Sequence, residues 1–232
     1  MMKLGKRLTT ASALALLGLV PFALIAALVA GGWSPLHDLD RTVTNSLHTW
    51  ALGHPHWTGA NIWLTNIFAP MPLRAAALFL VIWLLRRRAK RLALWAATTM
   101  AVGGILGVLL KLLVGRHRPD LLEPVARATG YSFPSGHALN AALAAGVFVL
   151  VLLPVAQGAM RWVLWCSAIA VTVLCGLSRV VLGVHWTSDV VAGWLLGIAV
   201  VAVTAAAFPR LRPERVVEEG LEPELAHARP PR

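Results

Sequence analysis

An all-α, polytopic membrane bundle of six transmembrane helices is the fold this sequence predicts, on three observations. Hydrophobic residues fill 58% of the 232 positions and charged residues 13%, with a mean hydropathy of +0.71. A soluble domain of this size has no core large enough for that apolar content. The apolar residues gather into six runs of membrane length, and the 21 Lys and Arg residues crowd alternate loops between those runs. Against this background the net charge of +11 points neither to a nucleic-acid partner nor to a disordered chain; it reflects topology, and the expected partner is the bilayer.

The runs lie near Leu8 to Gly31, Asn61 to Leu85, Leu92 to Val114, Ala138 to Val155, Trp162 to Leu177 and Val190 to Phe208. Lys3, Lys6 and Arg7 precede the first as they would in a signal peptide, but its uncharged stretch exceeds the roughly 7–15 residues of a signal core, so a retained helix is expected. Pro70, Pro72 and Arg74 interrupt the second, which puts its true crossing near Pro72 onward. The first outer loop then carries His37, His48, His54 and His56 with Trp50 and Trp57, in surface or packing roles. With the N-terminus inside, about fourteen Lys and Arg fall on the cytoplasmic side and about seven outside, so both termini are expected in the cytoplasm, with the protein in a bacterial-type inner membrane. Trp33, Trp162 and Trp186 fall at helix ends, where indoles anchor at the interface. The six helices make one domain over 1–208, with 209–232 a solvated, disordered cytoplasmic tail.

Half of the acids sit in that tail, leaving Asp38, Asp40, Asp120, Glu123 and Asp189 elsewhere. No carboxylate-built metal cage is expected from so few. Cys166 and Cys175 lie nine apart in one apolar run, on opposite sides of a helix, and give neither a disulfide nor a zinc site. No metal or cofactor is expected.

The outer-side cations are few but bunched at helix ends: Lys111, Arg116 and Arg118 after the third run, Arg179 at the end of the fifth. Positive charge on that side asks for a local anion. At the same depth, Pro134-Ser135-Gly136-His137 opens the fourth helix. The first N–H groups of a helix have no internal acceptor, so Ser135, Gly136 and His137 can present donors to an anion. His185 and Asp189 are four apart and share a helix face; the carboxylate can take the ring Nδ1–H and leave Nε2 with its lone pair outward. Taken singly, each motif also fits a plain N-cap or an interfacial ion pair. Together they offer cations, backbone donors and two histidines around one point, a set suited to holding and transferring a phosphoryl group. Spacing favours His185 as the attacking base without excluding His137. Arg116 and Arg127 read as solvated loop cations, and Arg74 as a side chain that snorkels to the interface.

Lys111 followed by six residues and Arg118-Pro119, then Pro134-Ser135-Gly136-His137, then Ser178-Arg179, five residues, His185, three residues and Asp189, resembles the complete three-part signature of the type 2 phosphatidic acid phosphatase (PAP2) superfamily, over about Leu92 to Phe208. The resemblance implies that His185 is a nucleophile forming a phosphohistidine, that Asp189 orients it, and that His137 protonates the leaving group and later activates water. It implies that Lys111, Arg118, Ser135, Gly136 and Arg179 hold the phosphoryl oxygens. The function expected is a lipid phosphate or diphosphate phosphatase acting at the outer face on a substrate such as phosphatidic acid, phosphatidylglycerol phosphate or undecaprenyl diphosphate. Two alternatives share the motifs: a lipid phosphotransferase using the same intermediate, and a non-catalytic protein that binds or translocates lipid phosphates. Soluble vanadium-dependent haloperoxidases carry a similar set, but six spans argue against that branch. Motif spacing sets neither the headgroup nor the oligomeric state.

Overall fold

The computed structural model describes residues 2–208 of the chain; the expected tail lies outside the described residues. Eight helices follow one another: α1 (Met2–Ala30), α2 (Ser34–Gly53), α3 (Pro55–Ile67), α4 (Pro70–Arg86), α5 (Lys90–Val114), α6 (Gly136–Leu152), α7 (Ala159–Val181) and α8 (Thr187–Ala207). Five segments are long and apolar enough to cross a membrane: Ser12–Ala30, Pro55–Arg86, Lys90–Val114, Ala159–Val181 and Thr187–Ala207. The chain is therefore an all-α, multi-pass membrane protein. The run expected at Ala138 to Val155 becomes α6, which at 17 residues is shorter than the other five.

Local chemistry sets the boundaries. Prolines at the first turns of α2, α3 and α4 start helices where a missing N–H costs nothing. Pro70 accordingly divides the second predicted run, and α4 begins there rather than at Pro72. The first expected loop is corrected: its residues fold into α2 and the start of α3. Asp40, Thr44, His48 and Ala51 of α2 are buried, at spacings of four and three that line one face of a helix. Composition hid this, because the buried face is polar. α5 stops at Gly115, whose φ of 62° closes the last turn through its N–H on the Lys111 carbonyl.

The core is built from small residues. Side chains on Gly193 or Gly197 of α8 would run into α6, at Ala138 and the Ser135 carbonyl in the first case and Ala142 in the second. Gly103 and Gly107 of α5 take Leu143 and Leu139 of α6, and Gly176 of α7 takes Trp194 of α8. α1 lies along α8 with Gly18 against the Leu195 carbonyl and Ala199, and its Phe22 stacks on Phe133, 6.1 Å between ring centroids. Lipid tails are as apolar as leucine, so close backbone approach is what holds such helices together. Cys166 is exposed and Cys175 buried, as opposite helix faces require.

Gly193→Ala tests this packing directly. Its Cβ would sit 2.8 Å from the Ser135 carbonyl oxygen, and the expected loss of stability is about 1–3 kcal/mol, read as a lower thermal midpoint in detergent. Gly59→Ala, whose Cβ meets nothing within 4 Å, should leave the midpoint in place.

Candidate active site

The end of α5, the loop from Gly115 to Ser135, the start of α6, the end of α7 and the start of α8 converge at one end of the bundle. Ser135 joins two of them. Its Oγ caps α6 by accepting the Ala138 N–H at 3.5 Å, and its own N–H donates to the Asp189 carbonyl at 2.9 Å. This corrects the expectation that the Ser135 N–H is offered to an anion: it is spent on tying α6 to α8. Gly136 and His137, in the first turn, have no intrahelical acceptor for theirs. A Cβ on Gly136 would meet nothing within 4 Å, so that position faces open space.

His185 lies between two partners of opposite kind. Its Nδ1 is 3.3 Å from Asp189 Oδ2, and its Nε2 is 3.1 Å from Arg118 Nη1. A carboxylate can only accept and a guanidinium can only donate, so the proton belongs on Nδ1 and the lone pair on Nε2. This is the tautomer expected from the four-residue spacing. Burial pushes the His185 pKa down to about 4, with Asp189 acting to raise it and Arg118 and Lys111 to lower it. The ring is neutral at pH 7. Asp189 Oδ2 also accepts the Trp186 N–H at 3.0 Å, which fixes the carboxylate at the third position of its own helix.

The cations are placed by backbone oxygens. Lys111 Nζ donates to the Tyr131 carbonyl at 2.7 Å. Arg118 donates to the carbonyls of Gly130 at 3.0 Å, Thr129 at 3.1 Å and Val184 at 2.7 Å; burial lowers its pKa and Asp189 opposes that shift. The Gly115–Ser135 loop is thus wound around the cations. Buried Arg179 donates from Nη1 to Thr65 Oγ1 at 2.8 Å, while its Nε has no partner. Arg179, Arg118 and His185 are near enough to His137 for their charges to act on its ring. All eight site residues expected from the sequence, Lys111, Arg118, Ser135, Gly136, His137, Arg179, His185 and Asp189, come together here.

Other expectations change. Arg116 is not a solvated loop cation: it is buried, and it pairs with Asp189 Oδ1 and Asp40 Oδ2, each at 2.7 Å. Arg74 donates to Asn140 Oδ1 at 2.9 Å in place of snorkelling. Trp186 opens α8, and its indole N–H donates to the His117 carbonyl at 2.9 Å, so it braces the loop. Arg127 is exposed, as expected. Asp40 and Thr65 were missed in the sequence. The signal available for Asp40 was that it is one of only five acids outside the tail; Thr65 gave none.

A helical membrane bundle with a histidine-centred cation cluster at one end is the class that fold and site define. The chain belongs to the PAP2 superfamily, whose sequence profile matches residues 92–213. It is 36% identical over 121 residues to an undecaprenyl-diphosphatase of Sulfolobus acidocaldarius, covering 49% of this chain and 54% of that protein. It is 39% identical over 97 residues to phosphatidylglycerophosphatase B of Bacillus subtilis, covering 40% and 47%. The chain thus spans about half the length of these curated relatives. The crystal structure of a transmembrane PAP2 type phosphatidylglycerolphosphate phosphatase from Bacillus subtilis superimposes with a TM-score of 0.76 over 85% of this chain and 97% of that one, at 23% identity. The fold is shared with it.

Thr65→Val keeps the shape of the side chain and removes the acceptor for Arg179. A buried guanidinium N–H left unpaired should cost about 1–3 kcal/mol, seen as a lower thermal midpoint, whereas Thr65→Ser should restore it.

Proposed function

We propose that this protein is an integral-membrane lipid phosphate or diphosphate phosphatase that works through a phosphohistidine. The observation that carries the reading is the setting of His185, with a carboxylate behind Nδ1 and an arginine beside Nε2, which assigns the lone pair to Nε2. In the first step Nε2 attacks phosphorus in line as the bond to the leaving oxygen breaks, and His137 gives that oxygen a proton. In the second, His137 takes a proton from water, whose oxygen displaces the phosphoryl group from Nε2. Asp189 orients His185 and stabilises the charged ring. Lys111, Arg118, Arg179 and the first-turn N–H groups of Gly136 and His137 hold the non-bridging oxygens while Ser135 caps that turn, Arg118 turning from Nε2 to the incoming phosphate.

The substrate would keep its acyl or prenyl chain in the bilayer, as phosphatidic acid, phosphatidylglycerol phosphate and undecaprenyl diphosphate all can. α6 supports this. Its 17 residues give a helix of about 26 Å against a hydrocarbon core of about 30 Å, so as the fourth of six spans it would hold its first turn at the edge of the hydrocarbon core, just beneath the headgroups. Positive-inside charge supports the outer face for that end, since Arg86 to Arg91 mark the opposite end of α5. The chain supplies its own positive charge, and no metal is required.

Purified protein is expected to release phosphate from at least one of the three lipids with EDTA present, and His185→Ala to abolish release. Full activity in His185→Ala would overturn the mechanism. Phosphate passed to an acceptor lipid in place of water would favour the phosphotransferase, and binding without product the non-catalytic reading.

The pH profile carries its own sign. The nucleophile is neutral His185, so its share of kcat/KM is lost only as pH falls through about 4, well below the ordinary histidine value near 6.5. An acid limb near 6.5 assigned to His185 by mutation would contradict the burial on which this rests.

A further inference from the structure

Arg116 lies behind the candidate site, and its guanidinium joins three parts of the chain. Nη1 donates to Asp189 Oδ1 and to Ser188 Oγ, both at 2.7 Å; Nη2 donates to Asp40 Oδ2 at 2.7 Å. Asp40 also accepts from Ser188, at 2.9 Å from its N–H and 2.5 Å from its hydroxyl. The side chains of Arg116, Asp40 and Asp189 are 6%, 1% and 0% exposed, and the Trp186 ring covers the guanidinium at 5.5 Å. Exposed ion pairs count for little, but charges this deep depend on their partners.

The two Asp189 oxygens are therefore divided. Oδ1 faces Arg116, and Oδ2 faces His185 Nδ1 and the Trp186 N–H. Arg116 decides which oxygen meets the ring. Asp40, brought in by α2, decides where Arg116 sits and offsets its charge.

We infer that Asp40 and Arg116 are positioning residues for His185, an alternating chain of charges from α2 to the first turn of α8 that orients Asp189 and sets how strongly it supports positive charge on the imidazole. This rests on the reading of His185 as the nucleophile. Signs alternate along the chain: Asp40 negative, Arg116 positive, Asp189 negative, and the ring positive once phosphorylated. Removing Arg116 frees Asp189 to act on the ring alone; removing Asp40 leaves Arg116 uncompensated and draws Asp189 away. The other charged groups around the ring are Arg118 and Lys111 at the α5 end and His137 of α6, which has Arg179 of α7 beside it, and His37 of α2 lies 3.5 Å from Arg116 Nη2. They are common to every variant and do not generate opposite shifts.

The test uses full-length protein in detergent with histidines labelled at the imidazole carbon, the His185 signal being assigned by its loss in His185→Gln. Asp40→Asn should move the His185 titration to lower pH and Arg116→Gln to higher pH, each by about half a unit or more. In the phosphate-release assay both should lose about a hundredfold in kcat with KM within threefold, their acid limbs moving in the same opposite directions. Asp40→Glu should recover most of the rate. Equal titrations in all three proteins, or shifts of one sign, overturn the proposal even if the variants are less stable, because a merely structural role lowers stability without opposing shifts. Asp40→Asn is isosteric and decides the question alone if Arg116→Gln does not fold: an unmoved titration, or kcat within twofold of wild type, overturns it. Failure of the phosphatase reading looks different. Wild type would then release no phosphate, which removes the catalytic half of the inference, while the titrations still decide the electrostatic half.

Discussion

Everything at the site depends on how closely α6 and α8 approach. Gly193 admits the Ser135 carbonyl and Ala138 to the surface of α8, Gly197 admits Ala142, and the Ser135 N–H completes the contact by donating to the Asp189 carbonyl. One backbone hydrogen bond thus joins the helix start that carries His137 to the helix start that carries Asp189. The same contact uses a donor that would otherwise be unpaired in an apolar surrounding, where its cost is high. Side chains large enough to separate the two helices would move the histidines apart without touching either.

Gathering cations in such a place is unfavourable unless each has oxygens to face. The fold meets that requirement mostly with backbone carbonyls: Tyr131 for Lys111, and Thr129, Gly130 and Val184 for Arg118. These acceptors are neutral, so the positive field survives at the centre of the cluster, where a carboxylate in their place would cancel it. Carboxylates are confined to the rear, at Asp189 and Asp40, where they act through His185 and Arg116. The separation of neutral acceptors in front from charged ones behind explains how a strongly basic cluster keeps its positive field and still holds a neutral histidine within it.

The sequence made the helical class, the membrane setting and the eight clustered residues legible because each leaves a local mark: apolar runs, loop charge, and polar groups at helix ends. The His185–Asp189 spacing even specified the tautomer. What it concealed was long-range and polar. α2 buries a face containing Asp40, Thr44 and His48, and α3 buries Thr58 and Thr65, so no apolar stripe announced them. Arg116 lies between two exposed-looking loop positions, yet its side chain turns inward to Asp40 and Asp189 while Ser132 holds the Arg116 and His117 carbonyls. Thr65 meets Arg179 from 114 positions away. None of these contacts has a period or a spacing for a reader of sequence to find.

α1 lies against α8 through Gly18 and against the loop before α6 through Phe22, although it falls outside the 92–213 region that marks the superfamily. α1 therefore waits for α8. Until α8 is threaded into the bilayer, α1 lacks its main partner, α6 has no carbonyl for Ser135, and Asp189 is not there to meet Arg116. Closing the bundle and completing the cation cluster are the same event, so a chain that stops short of α8 should leave α1 unseated and the cluster open.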